Sequence, residues 1–151
     1  MSDAGASAPL CPSAQPDWDG AVAIGVVGGT VDEPRITPLE RPLPVTDGLL
    51  RLAEPVTPSE VFRFAAPCLC EGCGHFEGST CKLAAKIVHM VPAAGETLPV
   101  CEIRPRCRWF RQEGRNACLR CPLVVTADAH PSPEILFAAD PATPVPAAAA
   151  E

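Results

Sequence analysis

Residues 68–81 read CLCEGCGHFEGSTC, and residues 101–122 read CEIRPRCRWFRQEGRNACLRCP. These two stretches hold eight of the nine cysteines of the chain, four in each stretch. A cysteine content above about 8–10% in a short segment already indicates a cysteine framework. We therefore expect the cysteines to organise the fold and to form its functional site. The candidate metal ligands are Cys68, Cys70, Cys73, Cys81, Cys101, Cys107, Cys118 and Cys121.

The start of the chain bears on whether these cysteines form disulfides. The segment Met1-Ser-Asp-Ala-Gly-Ala-Ser has neither the basic start nor the apolar run of a secretory signal. No stretch approaches the roughly 18 apolar residues that cross a membrane. We therefore expect a cytoplasmic protein without a membrane partner, in a reducing compartment where cysteine clusters bind metal more often than they form stable disulfides. Disulfide or thiol redox chemistry is the remaining alternative.

The spacing of the cysteines bears on the metal. The chain has two Cys-x-x-Cys pairs, Cys70/Cys73 and Cys118/Cys121, and one zinc ribbon built from both would leave four cysteines unused. The irregular spacing favours one or two iron–sulfur clusters of the 4Fe–4S type, each with four corners to ligate. Cys121 also precedes Pro122, as in bacterial ferredoxin ligand runs, although the contiguous run of those proteins is absent.

The resulting functional hypothesis is an iron–sulfur protein that carries single electrons or delivers clusters to a redox or assembly partner. The competing hypothesis is a zinc-binding interaction module without a redox role. An enzyme is the least favoured class, because nothing in the sequence marks a cleft with a positioned base, and no catalytic residue is assigned.

Two further residues are candidates for the ligand set. His75 follows Cys73 by two positions and could replace a cysteine ligand. Cys11 is either a free thiol near the end of the chain or a ligand that folds back in place of Cys68 or Cys70. These alternatives stay open at the level of the sequence.

Positive charge gathers around the second cysteine stretch. The chain has a net charge of −6, yet residues 101–121 contain six arginines and only two glutamates. A four-thiolate zinc site or an oxidised 4Fe–4S cluster with its thiolates carries about −2, which nearby arginines would offset. The second interpretation is a docking face for an acidic partner or for nucleic acid, although few aromatic residues interleave for base stacking. The arginines are Arg104, Arg106, Arg108, Arg111, Arg115 and Arg120.

Composition divides the chain into four segments. Residues 1–18 and 126–151 are rich in Ala, Pro, Ser and Asp, and we predict that both are disordered. Residues 19–67 should form a β-hairpin and a short helix, and residues 68–125 the cysteine-rich region of the same domain. With two Trp, five Phe and no Tyr, the core is short of large side chains. The predicted fold is therefore a small α+β domain stapled by metal.

Local signals place the expected elements. Residues 21–31 and 35–39 predict the two strands of the hairpin, and the prolines from residue 34 to 44 favour an edge position for the second strand. Helices are predicted over residues 58–66, from a cap at residue 79 or 80 to Pro92, and over about 106–113.

The helix that ends at Pro92 has an amphipathic pattern. Its apolar arc includes Leu83 and Ile87 and should pack on the domain. A second arc contains Lys82, Lys86 and His89, which we expect to face water.

Part of the chain resembles a known group. Residues 107–126 read CRWFRQEGRNACLRCPLVVT, residues 26–30 read VVGGT, and Cys11-Pro12 and Glu33-Pro-Arg35 accompany them. These strings resemble small cysteine-rich bacterial proteins, of a type seen in cyanobacteria, that are labelled nitrogen fixation proteins. The likeness covers most of residues 10–126 and implies that Cys11-Pro12 belongs to the pattern, which favours Cys11 as a ligand. It implies no mechanism.

Overall fold

The computed structural model describes residues 9–30, 32–127 and 130–146. In this part of the chain a four-stranded antiparallel sheet with strand order β1-β4-β2-β3 packs against short helices, which confirms the predicted α+β class. A separate hairpin of two very short strands, β5 and β6, lies within the first cysteine stretch. The strands are β1 Leu10–Ala14, β2 Val22–Gly29, β3 Pro34–Pro44, β4 Phe62–Pro67, β5 Phe76–Glu77 and β6 Thr80–Cys81.

The helices are short because glycine, proline and turn residues interrupt them. Gly114, with a φ of 70°, separates the fourth helix from the fifth. No helix in the described ranges is long and apolar enough to cross a membrane. The helices are α1 Asp47–Arg51, α2 Pro58–Val61, α3 Lys82–Met90, α4 Arg108–Glu113, α5 Arg115–Arg120 and α6 Pro133–Ala139, and 3-10 turns span Cys70–Gly72, Arg104–Arg106 and Cys121–Leu123.

The predicted hairpin and its edge position are confirmed. Strands β2 and β3 pair antiparallel, and β3 lies at the edge of the sheet. Proline is tolerated there because an edge strand has a neighbour on one side only, so the missing N–H can face away from it. Glycine is required at position 25, where β2 lies beside β3, because a Cβ there would lie 2.6 Å from Cγ2 of Ile36. The prolines of β3 are therefore consistent with its observed edge position.

The sheet separates two apolar clusters. On one face, Ala23, Ala53, Phe62 and Phe64 are buried against residues of α1. On the other face, the larger cluster contains residues of β1, α3, α4 and α6, with Trp109 only 1% exposed. The cysteine stretches border this second cluster, so the core that positions them is the one around Trp109.

The helix predicted over residues 58–66 is mostly wrong. It begins as expected, since Oε2 of Glu60 accepts from the amide of Thr57 at 3.2 Å, but α2 ends at Val61. The following residues form β4, which lies between β1 and β2 and is buried along most of its length. Pairing on both sides overrides the local helix signal in this segment.

Helix α3 also differs from its prediction in two respects. Its cap is Cys81, whose Sγ accepts from the amide of Ala84 at 3.5 Å, rather than Ser79 or Thr80. Lys86 is fully buried instead of facing water, because α6 packs across α3. The Nζ atom of Lys86 donates to the carbonyl of Asp140 at 2.8 Å and to Oγ1 of Thr143 at 2.9 Å. His89 is exposed, as expected.

The two segments predicted to be disordered contain ordered elements. Residues 10–14 form β1, which adds an edge strand to the sheet. Residues 133–139 form α6, which begins at Ser132, whose Oγ accepts from the amide of Ile135 at 3.2 Å. Amino-acid composition alone does not show that one serine caps a helix or that a segment pairs with a distant strand. The parts of this prediction that concern residues 1–8, 128–129 and 147–151 lie outside the described residues.

Candidate metal centres

All nine cysteines are free thiols, and eight of them line two cavities. The first cavity contains about 310 Å³ of space between its lining atoms, part of which is open to solvent. The four cysteines around it, which we call the first group, are Cys11, Cys68, Cys73 and Cys81. Strand pairing explains their meeting: β1 lies beside β4 with Cys11 opposite Ala66, so that Cys11 comes close to the residue that follows β4.

The second cavity contains about 380 Å³ of space between its lining atoms, part of which is open to solvent. The four cysteines around it, which we call the second group, are Cys101, Cys107, Cys118 and Cys121. These are the four that the sequence places together. Helices α4 and α5 form a tight pair around Gly114, which brings the residue that caps α4 close to the cysteine inside α5.

The first group differs from the predicted set by one residue. Cys70 does not line the first cavity, and Cys11 occupies the wall instead. Cys70 begins a 3-10 turn with a φ of 53°, and its amide donates to Sγ of Cys68 at 3.4 Å. The structure thus places Cys11, rather than Cys70, at the first cavity with the other three cysteines.

Several N–H groups reach the sulfurs of the first group. Nε of Arg108 lies 3.2 Å from Sγ of Cys68, and Nη2 of the same side chain lies 3.7 Å from Sγ of Cys70. The amide of His75 donates to Sγ of Cys73 at 3.4 Å. Such donors stabilise a thiolate and tune a bound metal centre. The guanidinium of Arg108 is held in place over the ring of Phe76, 5.0 Å from its centroid.

Helix α4 also fixes the position of Cys81. Oε1 of Gln112 accepts from the amide of Cys81 at 2.8 Å, and Nε2 of Gln112 donates to the carbonyl of Cys81 at 2.9 Å. The same helix therefore carries one cysteine of the second group at its cap and positions one cysteine of the first group. Gln112 has no signal in the sequence that marks this role.

The thiols are deeply set in apolar surroundings. The pKa of Cys11 is raised to about 12, mainly by burial. A backbone N–H of Ser13 opposes the rise, and the neighbouring thiols of Cys81, Cys68 and Cys73 contribute to it. Burial likewise raises the pKa of Cys107 to about 12. Without a cation nearby these groups are neutral thiols, and metal ligation deprotonates them.

Four buried side-chain nitrogens in the described residues have no hydrogen-bond partner, and two of them belong to residues that line the cysteine cavities. Trp109 lines both cavities, and Arg104 lines the second. Arg63 lines a groove that it shares with Cys101 and Cys121. The atoms are Nη2 of Arg63, Nδ1 of His75, Nε of Arg104 and Nε1 of Trp109.

His75 borders a larger cleft, which adjoins the first group. The cleft encloses about 910 Å³ of unfilled space and shares Cys11, Cys73 and Cys81 with the first cavity. Burial lowers the pKa of His75, and the nearby lysines Lys86 and Lys82 lower it further. The imidazole of His75 lines the cleft together with three cysteines of the first group.

The unpartnered donors indicate what these cavities can hold. Indole and guanidinium nitrogens only donate hydrogen bonds, so they require an acceptor. A buried donor without one costs roughly 1–3 kcal/mol, and a charged donor more. No cysteine sulfur accepts from these nitrogens as the side chains stand, and bound anionic sulfur would supply the missing acceptors and negative charge. The residues present therefore fit a metal centre with anionic sulfur ligands.

Arg63 is the least expected member of this set. It is 1% exposed, yet no acidic side chain among the described residues lies within ion-pair distance of it. Its Nε donates to the carbonyl of Pro12 at 2.6 Å, and its Nη1 donates to the carbonyl of Cys121 at 2.5 Å. A buried charge without a counter-ion costs several kcal/mol, which an anionic centre nearby would offset. The only hint in the sequence is an arginine between Phe62 and Phe64 in an apolar run.

The arginines of residues 101–121 have different roles from one another. Arg108 donates to the sulfurs of Cys68 and Cys70. Arg111 donates to the carbonyl of Pro105 at 3.0 Å, and Arg115 donates to that of Glu96 at 3.1 Å. Arg120 donates to the carbonyl of Val91 at 2.5 Å, and Arg104 to that of Pro99. Most of these side chains therefore fasten the loops around the second group, and the docking interpretation stays a prediction.

The cysteines are not a closed ligand set as they stand. Within residues 9–30, 32–127 and 130–146, no group of three or more His, Cys, Asp or Glu side chains is arranged to hold a metal ion directly. The thiols of each group surround a cavity instead. No protein family, no curated protein and no solved structure matches this chain.

Proposed function

We propose that the protein binds two iron–sulfur clusters, one in each cysteine group, and acts as a small electron carrier or as an accessory of cluster delivery. The observation that carries the proposal is a pair of cavities, each lined by four free thiols. The unpartnered buried nitrogens of Trp109 and Arg104 lie in their walls, and that of Arg63 lies in an adjoining groove. Soft thiolates suit iron, and N–H groups aimed at sulfur are a means by which proteins set the potential of a cluster.

The arrangement of the thiols favours a cluster over a single ion. A cluster with four irons takes one thiolate on each iron, so its ligands surround a cavity, as the cysteines of each group do. A single zinc ion would require four sulfurs about 3.8 Å apart, which follows from a Zn–S bond of about 2.3 Å. Among the described residues, no three His, Cys, Asp or Glu side chains are arranged to hold a single ion, so zinc binding would require the sulfurs of each group to move closer together.

One observation supports the delivery role in particular. Cys70 lies outside the first cavity, but its amide contacts the sulfur of Cys68, and Arg108 contacts both thiols. A thiol beside a ligand can compete for the same iron during transfer to an acceptor. The cavity of the second group is lined by four cysteines, without a fifth beside them. The proposal includes a reducing compartment such as the cytoplasm, since nine free thiols oxidise readily elsewhere.

Anaerobic purification tests the proposal. The protein should be brown, with broad visible absorption, and should contain about eight iron and eight acid-labile sulfide per chain if both clusters are of the 4Fe–4S type. Iron and sulfide are measured on the same sample as zinc. A colourless protein with stoichiometric zinc would end the electron-carrier proposal and favour a zinc-stapled interaction module.

A further inference from the structure

One side chain forms a wall of both cysteine cavities. Trp109 lines the first cavity and the second, and it is 1% exposed. Its Nε1 atom has no hydrogen-bond partner among the described residues. The side chain of Trp109 is therefore shared by the walls of both cavities.

A buried cation lies over this ring. The guanidinium carbon of Arg63 is 5.4 Å from the ring centroid of Trp109. Its hydrogen bonds reach the carbonyl of Pro12, which follows Cys11 of the first group, and the carbonyl of Cys121, which belongs to the second. Arg63 is thus tied to the backbone of both groups, while its Nη2 has no partner and no carboxylate balances its charge.

We propose that Arg63 and Trp109 couple the two centres, so that reduction of one lowers the reduction potential of the other and single electrons pass between them across the indole. This inference rests on the proposed function. In the transfer, one electron leaves the reduced centre and enters the oxidised one, and no bond or proton changes place. The protein then acts as a carrier with two communicating centres.

The surroundings of the pair explain the coupling. Charges interact more strongly across a buried wall than across water, because little solvent screens them. The positive charge of Arg63 favours the reduced form of each centre. The indole N–H favours additional negative charge on whichever sulfur accepts from it. Removing either group should therefore change potentials without removing a ligand.

Potentiometric titration of the loaded protein, followed by electron paramagnetic resonance, tests the coupling. The wild-type protein should show two potentials, and magnetic interaction between the centres when both are reduced. Arg63→Gln should lower both potentials, whereas Arg63→Lys, which keeps the charge, should leave them close to wild type. Trp109→Phe should lower at least one potential. Each variant is first shown to retain full iron and sulfide, and unchanged potentials in Arg63→Gln and Trp109→Phe would overturn the inference.

A second measurement separates this inference from the proposed function. The chain has two tryptophans, so Trp18→Phe leaves Trp109 as the sole indole fluorophore. In that background, Cys73→Ser and Cys118→Ser should each keep about half of the iron, at the second and the first group respectively. The emission of Trp109 should be quenched in both variants. Absence of iron in the parent protein contradicts the proposed function, whereas quenching by only one group, with iron present, contradicts the shared wall.

Discussion

The two cysteine groups have the same number of thiols but different surroundings. The first group adjoins a larger cleft, receives N–H donors from Arg108 and from the backbone, and has the additional thiol of Cys70 beside it. The second group has two cysteines that are at most 9% exposed, Cys107 and Cys118, and the first group has one, Cys81, at 8%. Under the proposed function, the adjoining cleft and the additional thiol of Cys70 make the first group the one that is open to exchange, although both groups contain four sulfurs.

The groups also differ in how the chain assembles them. The second group comes from 21 consecutive positions, 101–121, held by two adjacent short helices. The first group joins residue 11 to residues 68–81 and depends on the pairing of β1 with β4. A change in the sheet should therefore disturb the first centre, whereas the second should depend mainly on its local turn.

The largest expected effect distinguishes Cys70, which the sequence predicts as a ligand, from Cys11, which lines the first cavity. Cys11→Ser should remove the first centre and with it about half of the iron, whereas Cys70→Ser should leave the iron and sulfide content unchanged. The two variants differ from wild type by the same single atom. Iron and sulfide are counted after anaerobic purification, with circular dichroism as a check on folding. Equal loss in both variants would return Cys70 to the ligand set.

The sequence predicts all four cysteines of the second group and three of the four in the first. The second group follows from spacing alone, since its cysteines lie on adjacent short elements. The exchange of Cys70 for Cys11 requires the register of β1 against β4, which no local pattern encodes. Proline content does place β3 at the edge of the sheet, because its effect on the hydrogen-bond ladder is local.

The burial of charged residues is the other failure of sequence reasoning. Arg63 and Lys86 are both fully enclosed, and each belongs to a segment whose neighbours decide its exposure. Lys86 lies on the polar arc of an amphipathic helix, but α6 covers that arc. A helical period shows which residues share a face and does not show what packs against it.

The cleft beside the first group should depend on α6, which Lys86 anchors. Lys86→Ala removes two hydrogen bonds from a buried ammonium and leaves a cavity, so the free energy of unfolding should fall by about 2–4 kcal/mol. Lys82→Ala is the matched control, because Lys82 donates to the carbonyl of Pro141 at 3.0 Å near the surface and should cost less than about 0.5 kcal/mol. Denaturant unfolding of the loaded protein measures both, and a similar loss in the two variants would contradict the buried role of Lys86.

The turn between α4 and α5 should be the local weak point of the second group. Gly114 has a φ of 70° and a ψ of −152°, a conformation open essentially to glycine. Gly114→Ala should lower stability by about 1–3 kcal/mol and slow cluster incorporation at the second group more than at the first. Gly95→Ala meets no atom within 4 Å and has no such φ, so its effect should stay within about 0.5 kcal/mol. Reconstitution rates read from the two single-group variants, Cys73→Ser and Cys118→Ser, test the local assignment.

The smallest expected effect concerns the donor side chain at the first group. Arg108→Gln removes the N–H contact to Sγ of Cys68, so the potential of the first centre should become more negative while that of the second stays close to wild type. Arg115→Gln removes the same charge from an exposed side chain that donates to the carbonyl of Glu96, and solvent screens that loss. Potentiometric titration of both variants separates the two causes. An equal shift in both would mean that net charge, rather than the N–H···S contact, sets the potential of the accessible centre, and the difference in donors between the two groups would then have no functional consequence.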